Sequence, residues 1–156
     1  MLSDQRLALV TYCGLYCGLC AQRARIPSQA LQLRDALQEE GFDDFYRYVP
    51  EIKDSFPVFW KFLQDLVEFK CSCRDGSGGP PECEIRECAR RKEVRVCPLC
   101  EDYPCERIQA LGKRYPTLIQ DGKHLQEVGL EKWVSEQERR AKRGFCYADV
   151  RYSRQR

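Results

Sequence analysis

Ten of the eleven cysteines in this chain of 156 residues fall into three tight clusters. The clusters are Cys13, Cys17 and Cys20; Cys71 and Cys73, followed across a Gly/Pro loop by Cys83 and Cys88; and Cys97, Cys100 and Cys105. Thiolates that lie only a few residues apart can converge on one soft metal ion with little backbone strain. We therefore predict that these ten residues bind metal, and that the isolated Cys146 is a buried small apolar residue.

The spacing leaves the pairing of the clusters open. Sequence proximity groups the first cluster with one or both of Cys71 and Cys73, and leaves a second group of Cys83, Cys88, Cys97, Cys100 and Cys105. A site that joins residues 13–20 to 71–73 would close a loop of about 50 residues, which constrains the unfolded chain. Interleaved pairings are compatible with the same spacing.

Zinc is the expected metal, because all-sulfur ligation suits it and the chain shows no redox partner site. We expect one or two such sites with a structural role. An iron–sulfur cluster in a redox or sensor protein is the alternative, since it takes the same ligands. The spacing Cys13-x3-Cys17-x2-Cys20 matches the cluster motif of radical S-adenosylmethionine enzymes, but the chain is too short and too helical for their α/β barrel. Neither Cys17/Cys20 nor Cys97/Cys100 follows a strand in a βαβ unit, as a thioredoxin-like redox pair does.

No catalytic constellation stands out, so a non-enzymatic role is favoured. The single histidine, His124, lies among polar residues and is interpreted as a surface residue. The sequence contains no run of ~18 apolar residues, so no membrane helix is predicted. Residues 1–6 lack the basic and apolar regions of a signal peptide. We therefore expect a cytoplasmic protein in a reducing compartment, where clustered cysteines favour metal binding over disulfides.

A nucleic-acid or protein partner at the basic C-terminal tail is a further hypothesis. The net charge of +2 does not by itself favour nucleic acid. However, residues 139–156 carry seven Lys or Arg against one acid, with Phe145, Tyr147 and Tyr152 interleaved. A second basic stretch contains Arg86, Arg90, Arg91, Lys92 and Arg95. Such side chains can hold phosphates and stack on bases, although a solvated helix face gives the same pattern. A zinc-dependent nucleic-acid-binding regulator is therefore an alternative function.

Three core helices are predicted in residues 28–70. The first begins with Ser28 as its cap and ends at Gly41, a short second one runs from Phe42 to Val49, and the third begins at Ser55. Apolar residues of the third follow helical spacing at Phe59, Phe62, Leu63, Leu66 and Val67. We interpret these helices as the main hydrophobic core.

The metal-binding loops are predicted at residues 12–26 and 71–105. Cys83 and Cys88 lie on a short helix over 83–92, and Cys105 opens a helix where the dipole favours a thiolate. C-terminal helices occupy 106–144, with a buried stripe at Leu130, Trp133, Val134 and Ala141, and residues 145–156 form a tail. The expected fold is a mostly α, small single helical domain with irregular cysteine-rich metal-binding loops and little or no β structure.

Several of these motifs together resemble one known family. They are Tyr12-Cys13-Gly14 through Cys20, Cys71-x-Cys73, Cys83-Glu-Ile-Arg-Glu-Cys88-Ala89, Cys97-x2-Cys100 and Tyr103-Pro104-Cys105. In this order they are similar to the cysteine-rich bacterial and archaeal family catalogued as domain of unknown function 3795, over about residues 12–110. That resemblance implies metal binding through the cysteines and no established activity. The chain departs from the family pattern at Cys71-Ser72-Cys73, where members have a two-residue gap with a glycine before the second cysteine.

Overall fold

Helices make up most of the chain. The structure, a computed structural model, describes residues 2–151. Its helices are α1 (Asp4–Leu7), α2 (Ile26–Glu39), α3 (Phe42–Phe45), α4 (Phe56–Val67), α5 (Glu84–Arg91), α6 (Glu106–Gly112), α7 (Leu118–Val128), α8 (Leu130–Lys142) and α9 (Tyr147–Arg151). Within residues 2–151, β pairing is limited to one antiparallel bridge between Val10 and Tyr16. The predicted mostly helical fold with almost no β structure is confirmed.

The chain divides into two compact units. Unit 1 comprises residues 1–21 and 70–156, and unit 2 comprises residues 22–69. All eleven cysteines belong to unit 1. No helix in the described part of either unit has the length and apolar character needed to cross a bilayer.

The largest buried cluster lies in unit 1. Trp133 and Val134 of α8 are fully buried and pack with Leu125 of α7 and with Tyr16, whose ring meets the Trp133 ring edge-on at 6.4 Å. The location of this cluster in unit 1 corrects the prediction that the helices of residues 28–70 form the main hydrophobic core. The predicted buried stripe of α8 is confirmed, except that Ala141 is only partly buried.

The predicted tail at residues 145–156 differs from expectation, because residues 147–151 form α9 and Tyr147 is buried.

The Tyr147 hydroxyl is a buried group whose titration couples to folding. The backbone N–H of Tyr16 donates to its oxygen at 3.0 Å. Burial raises the pKa of Tyr147 well above its ordinary value, and the Tyr16 hydrogen bond opposes that shift. The unfolded chain therefore loses this proton at a lower pH than the folded chain. The stability that the neutral hydroxyl contributes is complete below about pH 10 and is lost as the pH rises further.

We predict that Tyr147→Phe lowers the free energy of unfolding at neutral pH by about 1–3 kcal/mol, because it removes the buried oxygen that accepts from Tyr16. The decline in stability above about pH 10 should also become shallower than in the wild type. Urea unfolding between about pH 8 and 11 measures both effects. The control is Tyr48→Phe, since Tyr48 is exposed. Parallel pH curves for Tyr147→Phe and the wild type would contradict the assignment.

Unit 2 is built on the packing of α2 against α4. Its buried side chains are Ala30 of α2 with Phe56 and Leu63 of α4. The first predicted helix is confirmed but begins at Ile26 rather than after a Ser28 cap, because Pro27 fits the first turn of a helix. It ends where predicted, since Gly41 takes a left-handed conformation at φ 65°.

Candidate metal centre

Four cysteines from three segments of unit 1 line one pocket of about 100 Å³. Cys88 lies on α5, and Cys105 immediately precedes α6. Cys97 begins a 3-10 turn over Cys97–Leu99, which closes with a hydrogen bond from the Cys100 N–H to the Cys97 carbonyl at 2.8 Å. Short helices and a tight turn, rather than strands, therefore position the four thiols.

Close packing around Pro98 holds the Cys97–Cys100 turn in place. Gly14 has a φ of 94°, and a Cβ atom there would lie only 2.9 Å from the Pro98 ring. On the opposite side, a Cβ atom at Gly122 would collide with the Tyr103 hydroxyl and would also crowd Pro98. The Cys97 N–H donates to the Tyr12 carbonyl at 2.7 Å. Gly14 thus allows the first cysteine cluster to approach the third, and Gly122 allows α7 to approach the third, because a side chain at either glycine would push the segments apart.

The Cys97 thiol lies in a partly desolvated position among other thiols. Burial, together with the neighbouring thiols of Cys13, Cys105, Cys100 and Cys88, raises the pKa of Cys97 to about 12. A thiolate at this position is therefore unfavourable unless a cation compensates its charge. A thiophilic metal ion is such a cation.

Two cationic side chains flank this pocket. Lys92 donates to the Cys100 sulfur at 3.9 Å and pairs with Asp102 at the rim. Arg107 pairs with Glu84 at 3.1 Å and also lines the pocket. Four thiolates around a divalent ion carry a net charge of about −2, and the two cations, each of which also pairs with a carboxylate, offset part of it. The sequence interpretation missed Arg107 and assigned Lys92 to a phosphate-binding stretch, since charge composition does not show what a cation faces.

Cys13 belongs to a small buried cluster with Ile108 and Leu118, against which Cys97 and Cys105 of the pocket pack. Its pKa is raised to about 11, chiefly by burial; the Thr11 hydroxyl at 3.0 Å and the Leu15 N–H oppose the shift, and the thiols of Cys73 and Cys83 contribute to it. Cys83 does not line the pocket, and its thiol is an electrostatic neighbour of Cys13. It immediately precedes α5 with an extended backbone, whereas Cys88 lies within the helix.

The loop that carries Cys73 is anchored by a buried arginine. Arg86 of α5 donates to the carbonyls of Cys73 (3.4 Å), Gly78 (3.2 Å), Pro80 (3.0 Å) and Pro81 (2.6 Å). Its side chain is buried. These hydrogen bonds fix the backbone conformation of the Gly/Pro loop that leads to Cys83. The position of Arg86 between two cysteines, in the motif Cys83-Glu-Ile-Arg-Glu-Cys88, was a sequence signal for a role near the cysteine clusters. The sequence interpretation instead placed Arg86 in a basic surface stretch.

Arg90 of that stretch, together with Arg74, also binds the chain itself. Arg74 donates to the carbonyls of Val10 (2.7 Å) and Arg95 (2.6 Å) and lies over the Tyr12 ring at 4.5 Å. Arg90 donates to the Arg74 carbonyl at 2.6 Å and faces the same ring at 5.7 Å. Arg86 and Arg90 thus tie together the backbone near the cysteine clusters.

The aromatic residues of the C-terminal stretch also pack inward. The Tyr147 ring is buried, and Phe145 packs against the core with Arg140 stacked over it at 4.3 Å. Arg151 lies over the Tyr115 ring at 4.5 Å. The ring of Tyr147 is therefore inaccessible for base stacking, whereas Tyr152 lies outside the described residues.

The remaining predicted ligands do not line the pocket. Cys17 is buried and its N–H donates to the Leu9 carbonyl at 2.7 Å, while Cys20 ends the Cys17–Leu19 turn. Cys71 lies against Gly78. Cys146 is buried, as predicted. His124 is on a partly exposed face of α7, where its Nε2 lies 2.6 Å from Glu136.

The sulfur atoms are near one another without being in ligand positions. Among residues 2–151, no three or more Cys, His, Asp or Glu side chains stand close enough to hold a metal ion directly. The eleven cysteines form no disulfide bonds. Metal ligation by the ten clustered cysteines therefore stays a prediction.

Comparison with known proteins places the chain in a family. Residues 9–110 match the family described as "Protein of unknown function (DUF3795)". Because this match covers more than half of the chain, the protein belongs to that family, as the motif order indicated. No curated protein and no solved structure matches the chain.

Proposed function

We propose that this protein binds a zinc ion through Cys88, Cys97, Cys100 and Cys105, and that the ion has a structural role. The supporting observation is that these four thiols, from three separate segments, line one pocket of unit 1. Four cysteines with a two-residue gap in one pair form the usual ligand set of a structural zinc site.

The dimensions of the pocket fit this role. Its volume of about 100 Å³ exceeds the roughly 10–15 Å³ of cavity that one water molecule needs. Rotation about one χ1 bond displaces a cysteine sulfur by about 3 Å between staggered rotamers. Side-chain rotation, with little movement of the backbone, can therefore bring the sulfurs toward the Zn–S distance of about 2.3 Å.

A bound ion would stabilise the region by joining α5, the Cys97–Leu99 turn and α6. These short elements bury few apolar side chains, with Ala89 and Ile108 as the buried apolar residues of α5 and α6. Because such a site is absent from the unfolded chain, the free energy of metal binding adds to the free energy of folding.

The proposal includes a second site, whose ligands are drawn from the clustered cysteines that do not line the pocket: Cys13, Cys17, Cys20, Cys71, Cys73 and Cys83. Its support is that the Cys73 and Cys83 thiols are electrostatic neighbours of Cys13. An iron–sulfur cluster takes the same ligands as zinc. A cytoplasmic location is part of the proposal, because a reducing compartment keeps thiols available for metal.

Elemental analysis of protein purified without oxygen tests the proposal. We expect zinc in the wild type and the loss of one equivalent in the double variant C88S/C105S. The control C146S makes the same exchange at a buried cysteine outside the pocket and should keep the full zinc content. Iron with sulfide and absorption near ~400 nm would instead favour the iron–sulfur cluster. An unchanged zinc content in C88S/C105S would contradict the site.

A further inference from the structure

Arg74 joins three segments of unit 1 to one another. Its guanidinium donates to the carbonyls of Leu7 at 3.1 Å and Val10 at 2.7 Å, which lie just before the first cysteine cluster. The same group donates to the Arg95 carbonyl at 2.6 Å, two residues before Cys97. Each acceptor is at least 21 positions away from Arg74 in the chain. A planar guanidinium can serve several carbonyls at once because it presents its N–H donors in fixed directions.

The Tyr12 ring connects Arg74 with the first cysteine cluster. The Arg74 guanidinium lies over this ring at 4.5 Å, and Arg90 faces the same ring at 5.7 Å. Tyr12 directly precedes Cys13, and Arg74 directly follows Cys73. Because an aromatic face attracts a cation, the stacking adds to the hydrogen bonds that hold these two segments together. The segment of Cys73 therefore lies against the segment of Cys13.

Two arginines of α5 fix the backbone around Cys73. Arg86 donates to the Cys73 carbonyl at 3.4 Å, and Arg90 donates to the Arg74 carbonyl at 2.6 Å. Two consecutive carbonyls are thus bound by side chains that lie one turn apart on the same helix. The backbone at Cys73 is therefore held on both sides, which fixes the direction in which its side chain leaves the chain.

The thiol of Cys73 is close enough to Cys13 to affect its ionisation. Burial is the main cause of the raised pKa of Cys13, and the Cys73 and Cys83 thiols add to it. Negative charge on either of these thiols therefore disfavours a thiolate at Cys13. A shared thiophilic cation relieves repulsion of this kind, since it attracts all the thiolates that bind it.

Cys71 packs in a different environment, although it belongs to the same cluster in the sequence. Its sulfur lies so close to Gly78 that a Cβ atom at this glycine would collide with it. Gly78 is buried, and its carbonyl accepts from Arg86 at 3.2 Å. The Cys71 thiol therefore lies against the part of the Gly/Pro loop that Arg86 anchors.

We infer that Cys73, and not Cys71, is the ligand that this segment supplies to the second metal site, and that Arg74 is the residue that positions it. The inference rests on the proposed function, because it concerns the site whose ligands lie outside the pocket. Cys13, Cys73 and Cys83 are then three of the ligands of that site. Cys71 instead fills space against the Gly/Pro loop.

Matched serine variants of the two cysteines test the ligand assignment. Zinc is measured in full-length C73S and C71S, both purified without oxygen. We expect C73S to lose one equivalent and C71S to keep the wild-type content. The two variants make the same exchange of sulfur for oxygen only two positions apart, so C71S controls for the substitution itself. Equal zinc contents in C71S and C73S would overturn the assignment.

The variants R74M and R74K test the positioning role. Methionine removes the charge and the donors, whereas lysine keeps the charge but has a single nitrogen in place of the guanidinium fork. We expect both to bind zinc at the second site about 10–100-fold more weakly than the wild type, with unchanged affinity at the pocket. R91M is the control, because Arg91 is exposed on α5. Wild-type affinity at the second site in R74M or R74K would overturn the role of Arg74.

Thiol reactivity gives a second readout that does not depend on bound zinc. In the metal-free protein, loss of the Arg74 contacts should free Cys73 more than Cys71, which still packs against Gly78. The ratio of the Cys73 to the Cys71 alkylation rate should therefore be higher in R74M than in R91M, as followed by mass spectrometry of the peptides. A ratio equal in the two variants would contradict the positioning role.

The same measurements separate this inference from the pocket site. C88S/C105S should lose the pocket equivalent, and C73S should lose the other. A wild type with a single equivalent that only C88S/C105S removes would overturn the inference and leave the pocket site standing. A single equivalent that only C73S removes would support the inference and contradict the pocket site.

Discussion

Replacement of Cys97 by serine should weaken zinc binding by roughly two to three orders of magnitude, because about 10–16 kcal/mol of binding free energy is shared among four thiolates in sites of this type. Competition with a chromogenic chelator measures the affinity. Cys97 is the most informative position, because it has the other pocket thiols and Cys13 as electrostatic neighbours. C146S is the control and should leave the affinity unchanged. Equal affinity in C97S and C146S would remove Cys97 from the ligand set.

The affinity of the wild type should also depend on pH. With a pKa of about 12, the Cys97 thiol is protonated at neutral pH when no metal is bound, and it must release that proton to bind. One released proton makes the apparent affinity rise about tenfold per pH unit, and further released protons make it steeper. Chelator competition at several pH values between about 6 and 8 measures the slope. A flat profile would mean that zinc binds elsewhere.

Replacement of Arg86 by methionine should lower the free energy of unfolding by about 3–5 kcal/mol, since several backbone carbonyls lose a buried charged donor at once. Urea unfolding measures the loss. R91M is the matched control, because Arg91 lies on the same helix and is exposed. Unfolding free energies that are equal in R86M and R91M would show that the carbonyl contacts contribute little.

The same substitution should loosen the loop that Arg86 anchors. Cys73 and Cys83 flank that loop, so in metal-free R86M we expect faster alkylation of both than in R91M, as followed by mass spectrometry of the peptides. Cys100, which lies in the pocket and outside the loop, should react at the same rate in the two variants. A uniform increase at all three would indicate global destabilisation instead.

Local sequence signals predicted much of the fold correctly. The helices from Ile26 to Glu39 and from Leu130 to Lys142 follow from apolar periodicity, and Gly41 ends the first of them as expected. These features depend on residues a few positions apart, which is why the sequence contains them. The same periodicity misassigned the main core, because a helix with two apolar faces resembles a core helix whether or not both faces are covered. Only the packing of α4 shows that Phe56 and Leu63 are buried whereas Val58 and Phe62 are exposed.

The sequence indicated which cysteines could form the candidate site, but not which of them lie together. Cysteine spacing identified the four pocket thiols as candidates, and it also grouped Cys83 with them. In the structure only Cys88 of this pair lines the pocket, since Cys83 precedes α5 with an extended backbone. The approach of Pro98 to Gly14 brings Cys97 near Cys13. Contacts of this kind depend on the meeting of segments that are distant in the chain, which no local spacing encodes.

The sequence by itself determined the helical class, the family and the set of thiols available for metal, because each depends on residue types and their local order. The tertiary structure alone decided which thiols share a pocket, which arginines bind backbone carbonyls and which face of α4 stays exposed. The physical reason is that burial and long-range contact depend on how helices pack, and the same local pattern is compatible with several packings.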